Sequence, residues 1–358
     1  MFPELKPRRS HTIFLEILPT QPITHGQGNN GNEQEILRRP FLLTRDNPTT
    51  GQKESFVEEI PLVSGASLRA KLRQRAVLND AEMMQAQPGS FSKSKLRLLV
   101  KGGHLGGDGK AMNLDDVRAL CEMSPLLYLF GAMDDSLRLT GALKVDSVYP
   151  YCRELLSAGL IPASDTFAFW QGDPDDPTWP AFPLPPSYVD SVSTVQYYKH
   201  DMGGSAASRL LSTGDRHQIE DKQAAILAIQ ATGKKVDKED RREANESMPH
   251  GFQAIIAGFP MFTILRTDPI TDMEYACLIA TLASWKQHGA HLGGAEAKGH
   301  GHCRIRVAGS FCSSSADNAV PDTAIVAPSL NPNAALFDAY KANRAAHAKA
   351  FREWAAQP

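Results

Sequence analysis

Three stretches of this chain combine cations with glycine or capping serine, the residue types that hold phosphate groups. Pro61–Arg75 carries Arg69, Lys71, Arg73 and Arg75 and no acid. Lys93–Lys110 carries Lys93, Lys95, Arg97, Lys101 and Lys110 against Asp108 alone. Lys286–Arg306 has Lys286, Lys298, Arg304 and Arg306 against Glu296, with His288, His291, His300 and His302 interleaved. Two of the runs lie beside glycine-rich loops, and the first begins at a serine able to cap a helix. Backbone amides in such loops and at helix N-termini point at anions, and the cations add charge.

Competing chemistries are weaker. His288, His291, His300, His302 and Cys303 supply ligand types for zinc, but adjacent His302 and Cys303 on a strand point to opposite faces. Gly26-Gln-Gly28-Asn-Asn-Gly31 matches a dinucleotide-binding string, yet Pro40 arrives too soon for the crossover helix that would hold a pyrophosphate. Gly109-Lys110 ends like a phosphate-binding loop, but His104 and Ala111 stand at positions that need Gly and Ser or Thr. No GxSxG elbow, HExxH or similar catalytic pattern is present.

These residues need a scaffold. His11–Leu18 reads as a strand and Ser64–Leu78 as a helix, capped by Ser64 or Ser67, with Leu68, Leu72 and Ala76 on one face. Thr24–Glu35 reads as a turn-rich loop, Leu137–Tyr149 as a second strand and the proline-rich 167–186 as a surface loop. Gly251–Leu265 has strand character, Asp272–Gln287 fits an apolar-faced helix and Gly301–Val307 a last strand. The order strand, helix, strand, strand, helix, strand is that of a split βαβ, ferredoxin-like domain. Ala334–Ala356 reads as a helix, with Phe337, Tyr340, Phe351 and Trp354 as docking residues for this chain or a neighbour.

Composition bounds the class. The chain has 358 residues, 42% hydrophobic and 22% charged, which excludes wholesale disorder. Lys+Arg number 38 and Asp+Glu 40, a formal net charge of -2, which argues against nucleic-acid binding by bulk charge and leaves only local patches. Five cysteines without a Cys-x-x-Cys pair read as reduced cytosolic thiols. No apolar run is long enough for a membrane span, and no export signal is evident.

Four segments in order resemble the CRISPR-associated RAMP superfamily, specifically its backbone subunits. They are Ile23-Thr24-His25-Gly26 after the first strand; Ile60 to Arg73, similar to "IPGSSLRGxLR"; Leu129-Phe130-Gly131 with Leu139–Asp146; and His291 to Gly301, similar to an "LGG…GxG" loop. The resemblance is greatest to the type IV effector subunit. It implies an α+β fold: a ferredoxin-like, RNA-recognition-motif-like palm with long thumb and finger-like insertions and a C-terminal helix. One RAMP-type domain would cover 1–320, with the palm core at about 11–20, 60–80, 137–150 and 250–308. An insertion would occupy about 80–130 and the thumb about 190–250, and 321–358 would be a linker and helix.

The resemblance further implies a non-catalytic cytoplasmic protein without cofactor or metal that polymerises along a guide RNA. Its expected partners are that RNA, further copies of itself, cap and large subunits, a helicase, and target DNA, with target RNA the alternative; no membrane is involved. The implied RNA-binding residues are Thr24, His25, Gly26, Ser64, Gly65, Ser67, Arg69, Lys71, Arg73, Gly293, Gly294, Lys298, Gly299 and His300. The implied thumb residues are Tyr197, Tyr198, Lys199, His200 and Met202. Type III relatives cleave target RNA with an Asp in the first glycine-rich loop. Here that loop has Asn32, Glu33 and Glu35 and no Asp, so the rival enzyme reading rests on Glu33 or Asp46 with a divalent metal. A zinc-containing structural protein is the other rival.

Overall fold

The computed structural model describes residues 7–30, 33–47, 50–87, 89–102, 114–134, 137–161, 179–182, 184–198, 221, 224, 249–294, 296, 299–314 and 334–357. The chain begins with β1 (Arg9–Pro19), β2 (Ile23–Thr24), β3 (Gly26–Asn30), β4 (Glu33–Ile36), β5 (Arg38–Asp46) and β6 (Lys53–Pro61). Helices α1 (Gly65–Met83), α2 (Lys93–Lys101), α3 (Leu114–Met123) and α4 (Pro125–Phe130) follow. Next come β7 (Ala132–Asp134), β8 (Leu137–Leu139), β9 (Leu143–Val145), β10 (Tyr149–Pro150) and α5 (Arg153–Ser157). The remainder is β11 (Val192–Tyr198), β12 (Pro249–Ile255), β13 (Met261–Thr267), α6 (Asp272–Gln287), β14 (Ala290–His291), β15 (His302–Ser314) and α7 (Ala334–Ala356).

Two compact units result. The first comprises Met1–His25, Leu37–Val192 and Ile255–Pro358. Its main sheet has the order β10-β13-β1-β15-β14, with β9 also on β13, and every pairing given for it is antiparallel. With α1 between β1 and β9, and α6 between β13 and β15, this is the ferredoxin-like arrangement expected. The second unit, Gly26–Ile36 with Ser193–Ala254, holds strands in the order β11-β12-β4-β3.

Local chemistry explains the palm helices. Ser64 caps α1, its Oγ accepting the Ser67 amide at 3.3 Å, and Leu68, Leu72 and Ala76 are buried. In α6 a capping box closes the start: Thr271 Oγ1 accepts from the Glu274 amide at 3.4 Å, and Glu274 Oε2 from the Thr271 amide at 2.7 Å. Strand β1 is buried on both faces. His11 stacks on Tyr275 of α6 at 4.0 Å, so by alternation His11, Ile13, Leu15 and Ile17 face the helices. Phe14, Glu16 and Leu18 face the other way and are buried too.

His11 yields a pH prediction. Burial, aided by the Arg9 charge and opposed by Asp272, lowers its imidazole from 6.5 to about 4. Between those values the unfolded chain binds the extra proton, so this contribution is complete above pH 6.5 and disappears as pH falls through 4. Urea titrations should show a loss on the order of 2–3 kcal/mol over that interval, absent in His11→Phe, which keeps the ring stack. An unchanged acid slope in His11→Phe would refute the assignment.

Several sequence expectations are corrected. Thr24–Glu35 is not a plain loop: β3 and β4 pair antiparallel, from Gly26 opposite Ile36 to Asn30 opposite Glu33. The single strand expected over Leu137–Tyr149 is broken into β8, β9 and β10. The first of the two breaks falls at Gly141, where a Cβ would lie 2.6 Å from the Phe130 carbonyl carbon. Gly251–Leu265 divides into β12 and β13 across a turn with Gly258 at φ 82 and Pro260 in it. The ribbon β5–β6, paired from Arg38 opposite Pro61 to Asp46 opposite Lys53, was not anticipated. Its inner residues alternate with exposed ones, a strand pattern weakened by charges at 53–59.

Helix α7 docks on its own chain. Tyr340 OH donates to Asp80 Oδ1 at 2.7 Å, and Arg344 Nη2 lies 3.1 Å from Asp80 Oδ2, all three residues being buried. All five cysteines are unpaired. Among the described residues no helix is long and apolar enough to cross a membrane.

Candidate nucleic-acid interface

In RNA-recognition-motif domains bases stack on the open sheet face. Here that face is closed. Phe14 is 8% exposed and Phe262 2%, and Phe262 meets Tyr149 and Tyr151 at ring distances of 5.8 and 6.4 Å. Trp179 is buried as well, with the Arg304 guanidinium 5.2 Å from its ring centre. Arg306 turns to the same face, 3.5 Å from the fully buried Glu16. The binding residues expected from the sequence lie instead around the loops at the sheet's end.

Two elements of the first unit meet there. The loop after β14 lies on β2: the Gly294 amide donates to Thr24 O at 2.8 Å, and Thr24 Oγ1 donates to Gly294 O at 3.0 Å. The Leu292 amide bonds Gly301 O at 2.9 Å, and the Gly301 amide bonds Pro22 O at 2.9 Å. Gly293 has φ 73, and a Cβ on it would stand 2.2 Å from Thr24 O, so only glycine permits this approach. His291 Nε2 donates to His300 O, which makes both buried histidines part of the loop's frame.

The second element is the start of α1. His25 Nε2 accepts the Ser64 backbone amide at 3.1 Å and lies 3.2 Å from Ser64 Oγ. A backbone N–H can only donate, so Nε2 carries no proton and the Ser64 hydroxyl donates to it as well. Burial lowers the His25 pKa, which favours the same neutral ring. His25 thus clamps the helix start. Gly65 fits beneath it because a Cβ would come 2.2 Å from Val145 O. No acidic residue occupies the first turn of α1, so its positive dipole end is uncompensated.

Lys71 joins helix and loop. Its Nζ lies 3.2 Å from Glu296 Oε2, and the same oxygen is 3.6 Å from His291 Nδ1. The hydrogen bond from Lys71 holds the Glu296 carboxyl below its ordinary value, opposed by partial burial. Lys71 thus holds a carboxylate oxygen at the helix–loop junction, where a phosphate oxygen would make the same contact. With Nε2 donating to His300 O and burial lowering its pKa, His291 stays neutral and its Nδ1 has no proton to offer. Glu296 was read in the sequence only as an exception within a basic run; its role depends on Lys71, 225 residues away.

Two expected contact residues turn inward. Arg73 is 6% exposed and donates to Leu98 O at 2.8 Å, Phe130 O at 3.0 Å, Gly131 O at 2.7 Å and also Leu99 O. Burial, with the Arg69 charge beside it, lowers its pKa to about 10, so it stays charged at neutral pH. Arg69 donates to Leu143 O at 3.2 Å and Phe130 O at 2.8 Å. The physical reason is helical spacing: 69 and 73 fall on the stripe facing the carbonyl ends of α2 and α4. Arg73 is thereby part of the scaffold, and the half-buried Arg69 is tied to the same Phe130 carbonyl.

The other expected residues are distributed as follows. Thr24, His25, Ser64, Gly65, Ser67, Lys71, Gly293, Gly294, Gly299 and His300 all belong to this junction or the loop behind it, whereas Gly26 opens β3 in the second unit. Lys298, Lys199, His200 and Met202 lie outside the described residues, and Tyr197 and Tyr198 end β11. Glu33 begins β4 in the second unit and Asp46 ends β5 in the first. In the histidine-rich segment, His288 Nδ1 accompanies Ser284 O at 2.9 Å, and Cys303, its thiol pushed up by burial, donates to Gly301 O at 3.2 Å. Among the described residues no group of three His, Cys, Asp or Glu side chains is placed to hold a metal.

No protein-family model matches the chain. No curated protein matches it either. Among solved structures it is similar to a chain described as "Type IV-B CRISPR Complex", with a TM-score of 0.44 and 18% sequence identity over 88% of this chain and 95% of that one.

Proposed function

We propose that this protein is a non-catalytic backbone subunit of a type IV CRISPR ribonucleoprotein. It oligomerises along a guide RNA and presents the bases for pairing with target DNA, in a cytoplasmic assembly with cap and large subunits. The observation that carries the reading is the junction of Lys71, the uncompensated start of α1 and the loop bound to Thr24. Those groups bind phosphate and read no base, so sequence recognition passes to Watson–Crick pairing. The ordered resemblance of four motifs supports it, since three of them supply this junction.

The test is RNA binding by the full-length protein, followed by fluorescence anisotropy between 50 and 200 mM salt. Arbitrary single-stranded RNAs should bind alike, with log K falling linearly against log salt. Lys71→Ala should lower that slope by about 0.7, the value of one single-strand phosphate contact. Glu296→Gln removes the resident counter-ion of Lys71 and should tighten binding about two- to five-fold. Binding that ignores both substitutions, or no binding at 50 mM salt, would sink the reading.

A further inference from the structure

Helix α2 carries cations that the guide-binding junction does not use. Its sequence, KSKLRLLVK, contains no acid, and Lys93, Arg97 and Lys101 are all exposed. They are four residues apart, so they form a row along one face, rising about 6 Å per step and about 12 Å in all. Some other surface cations are paired with carboxylates: Lys71 with Glu296, Arg266 with Asp146, and Lys144 with Asp268. Among the described residues, Lys93, Arg97 and Lys101 have no such partner.

The row is held rigidly. Ser92 Oγ accepts the Lys95 amide at 3.3 Å, and the Ser92 amide donates to Ala355 O of α7 at 2.8 Å. Leu98 and Leu99 are buried, and Lys95 leans over the Trp354 ring at 5.3 Å. At the other end Arg73 donates to Leu98 O and Leu99 O, and Gly102 closes the helix in the left-handed conformation. Ordering this row on a ligand therefore requires little loss of backbone freedom.

We propose that the exposed face of α2 is a second nucleic-acid contact, a sequence-independent seat for the phosphate backbone of a DNA duplex. A row about 12 Å long spans three to four phosphates of one strand. A duplex suits it better than a single strand because, among the described residues, the rings beside the row are already engaged, Phe91 with Phe351 and Trp354 with Lys95, and none is free for base stacking. A membrane surface does not suit it: Leu98 and Leu99 are buried against the protein, and Leu96, 43% exposed, is the one leucine of α2 left on the surface, too little apolar area to insert. The inference goes beyond the guide-binding junction and does not depend on it.

The experiment compares full-length wild type, Lys93→Ala/Arg97→Ala/Lys101→Ala, the charge-keeping Lys93→Arg/Arg97→Lys/Lys101→Arg, and Lys71→Ala. Probes are a random-sequence DNA duplex, a single-stranded RNA and vesicles rich in anionic lipid. The alanine triple should lose at least about ten-fold in duplex affinity, and its salt slope should fall by about 2.7, three contacts at 0.9 each. The charge-keeping triple should bind the duplex as wild type does, and RNA affinity should stay within about two-fold in both. Lys71→Ala should show the converse, so failure of the junction and failure of this proposal are separable. Unchanged duplex affinity in the alanine triple overturns the proposal. So does an equal loss for RNA and duplex, or a loss confined to vesicles.

Discussion

Arg73→Met is expected to lower folding stability by about 3–5 kcal/mol. The guanidinium lies inside the protein and gives hydrogen bonds to four carbonyls from two helix ends, Leu98 and Leu99 of α2, and Phe130 and Gly131 at the end of α4. Methionine fills similar space but donates nothing, and buried carbonyls deprived of a charged donor carry the penalty. Arg73→Lys should recover less than half of the loss, because one ammonium cannot span the planar fork. Urea unfolding of both variants at pH 7 is the measurement. A loss under about 1 kcal/mol for Arg73→Met would mean that water replaces these bonds at no net disadvantage.

The second large effect concerns the loop on β2. Gly293→Ala places a methyl 2.2 Å from a backbone oxygen at a residue with φ 73. Backbone cannot yield as a side-chain end can, so the loop must leave Thr24. RNA affinity should fall at least about ten-fold, with a stability loss of about 1–3 kcal/mol. Its neighbours make graded controls. Gly299 has φ 78 but nothing within 4 Å, so Gly299→Ala should show strain alone, near 1 kcal/mol. Gly294 meets Thr24 O only at 3.9 Å and has no positive φ, so Gly294→Ala should bind and fold nearly as wild type. Equal behaviour of Gly293→Ala and Gly294→Ala in anisotropy and melting would show that contact with Thr24 does not position the loop.

Much of the palm was legible because its signals are local. Ser64 with Leu68 and Leu72 announces α1, the apolar-faced pattern of Asp272–Gln287 announces α6, and the β-branched and aromatic residues of His11–Leu18 announce β1. The ferredoxin-like order follows once the strands read at Leu137–Tyr149, Gly251–Leu265 and Gly301–Val307 are added. Strand boundaries were less legible where glycine serves long-range contact. Gly141 divides a stretch that reads as one strand because it lies against Phe130 and Gly131, a neighbour that local periodicity does not encode.

Charge followed the same division. Composition and spacing locate three basic segments within a chain of net charge -2, and they single out α1, α2 and the loop before β15. Which cations meet a ligand is another matter. Lys71 reaches Glu296, while Arg69 and Arg73, two residues to either side, turn inward to Leu143, Phe130 and the end of α2. A cation can be buried when carbonyls from distant segments surround it, and that surrounding arises only once the helices pack. Residue type therefore set where positive charge lies along the chain, and packing sorted it into scaffold and surface.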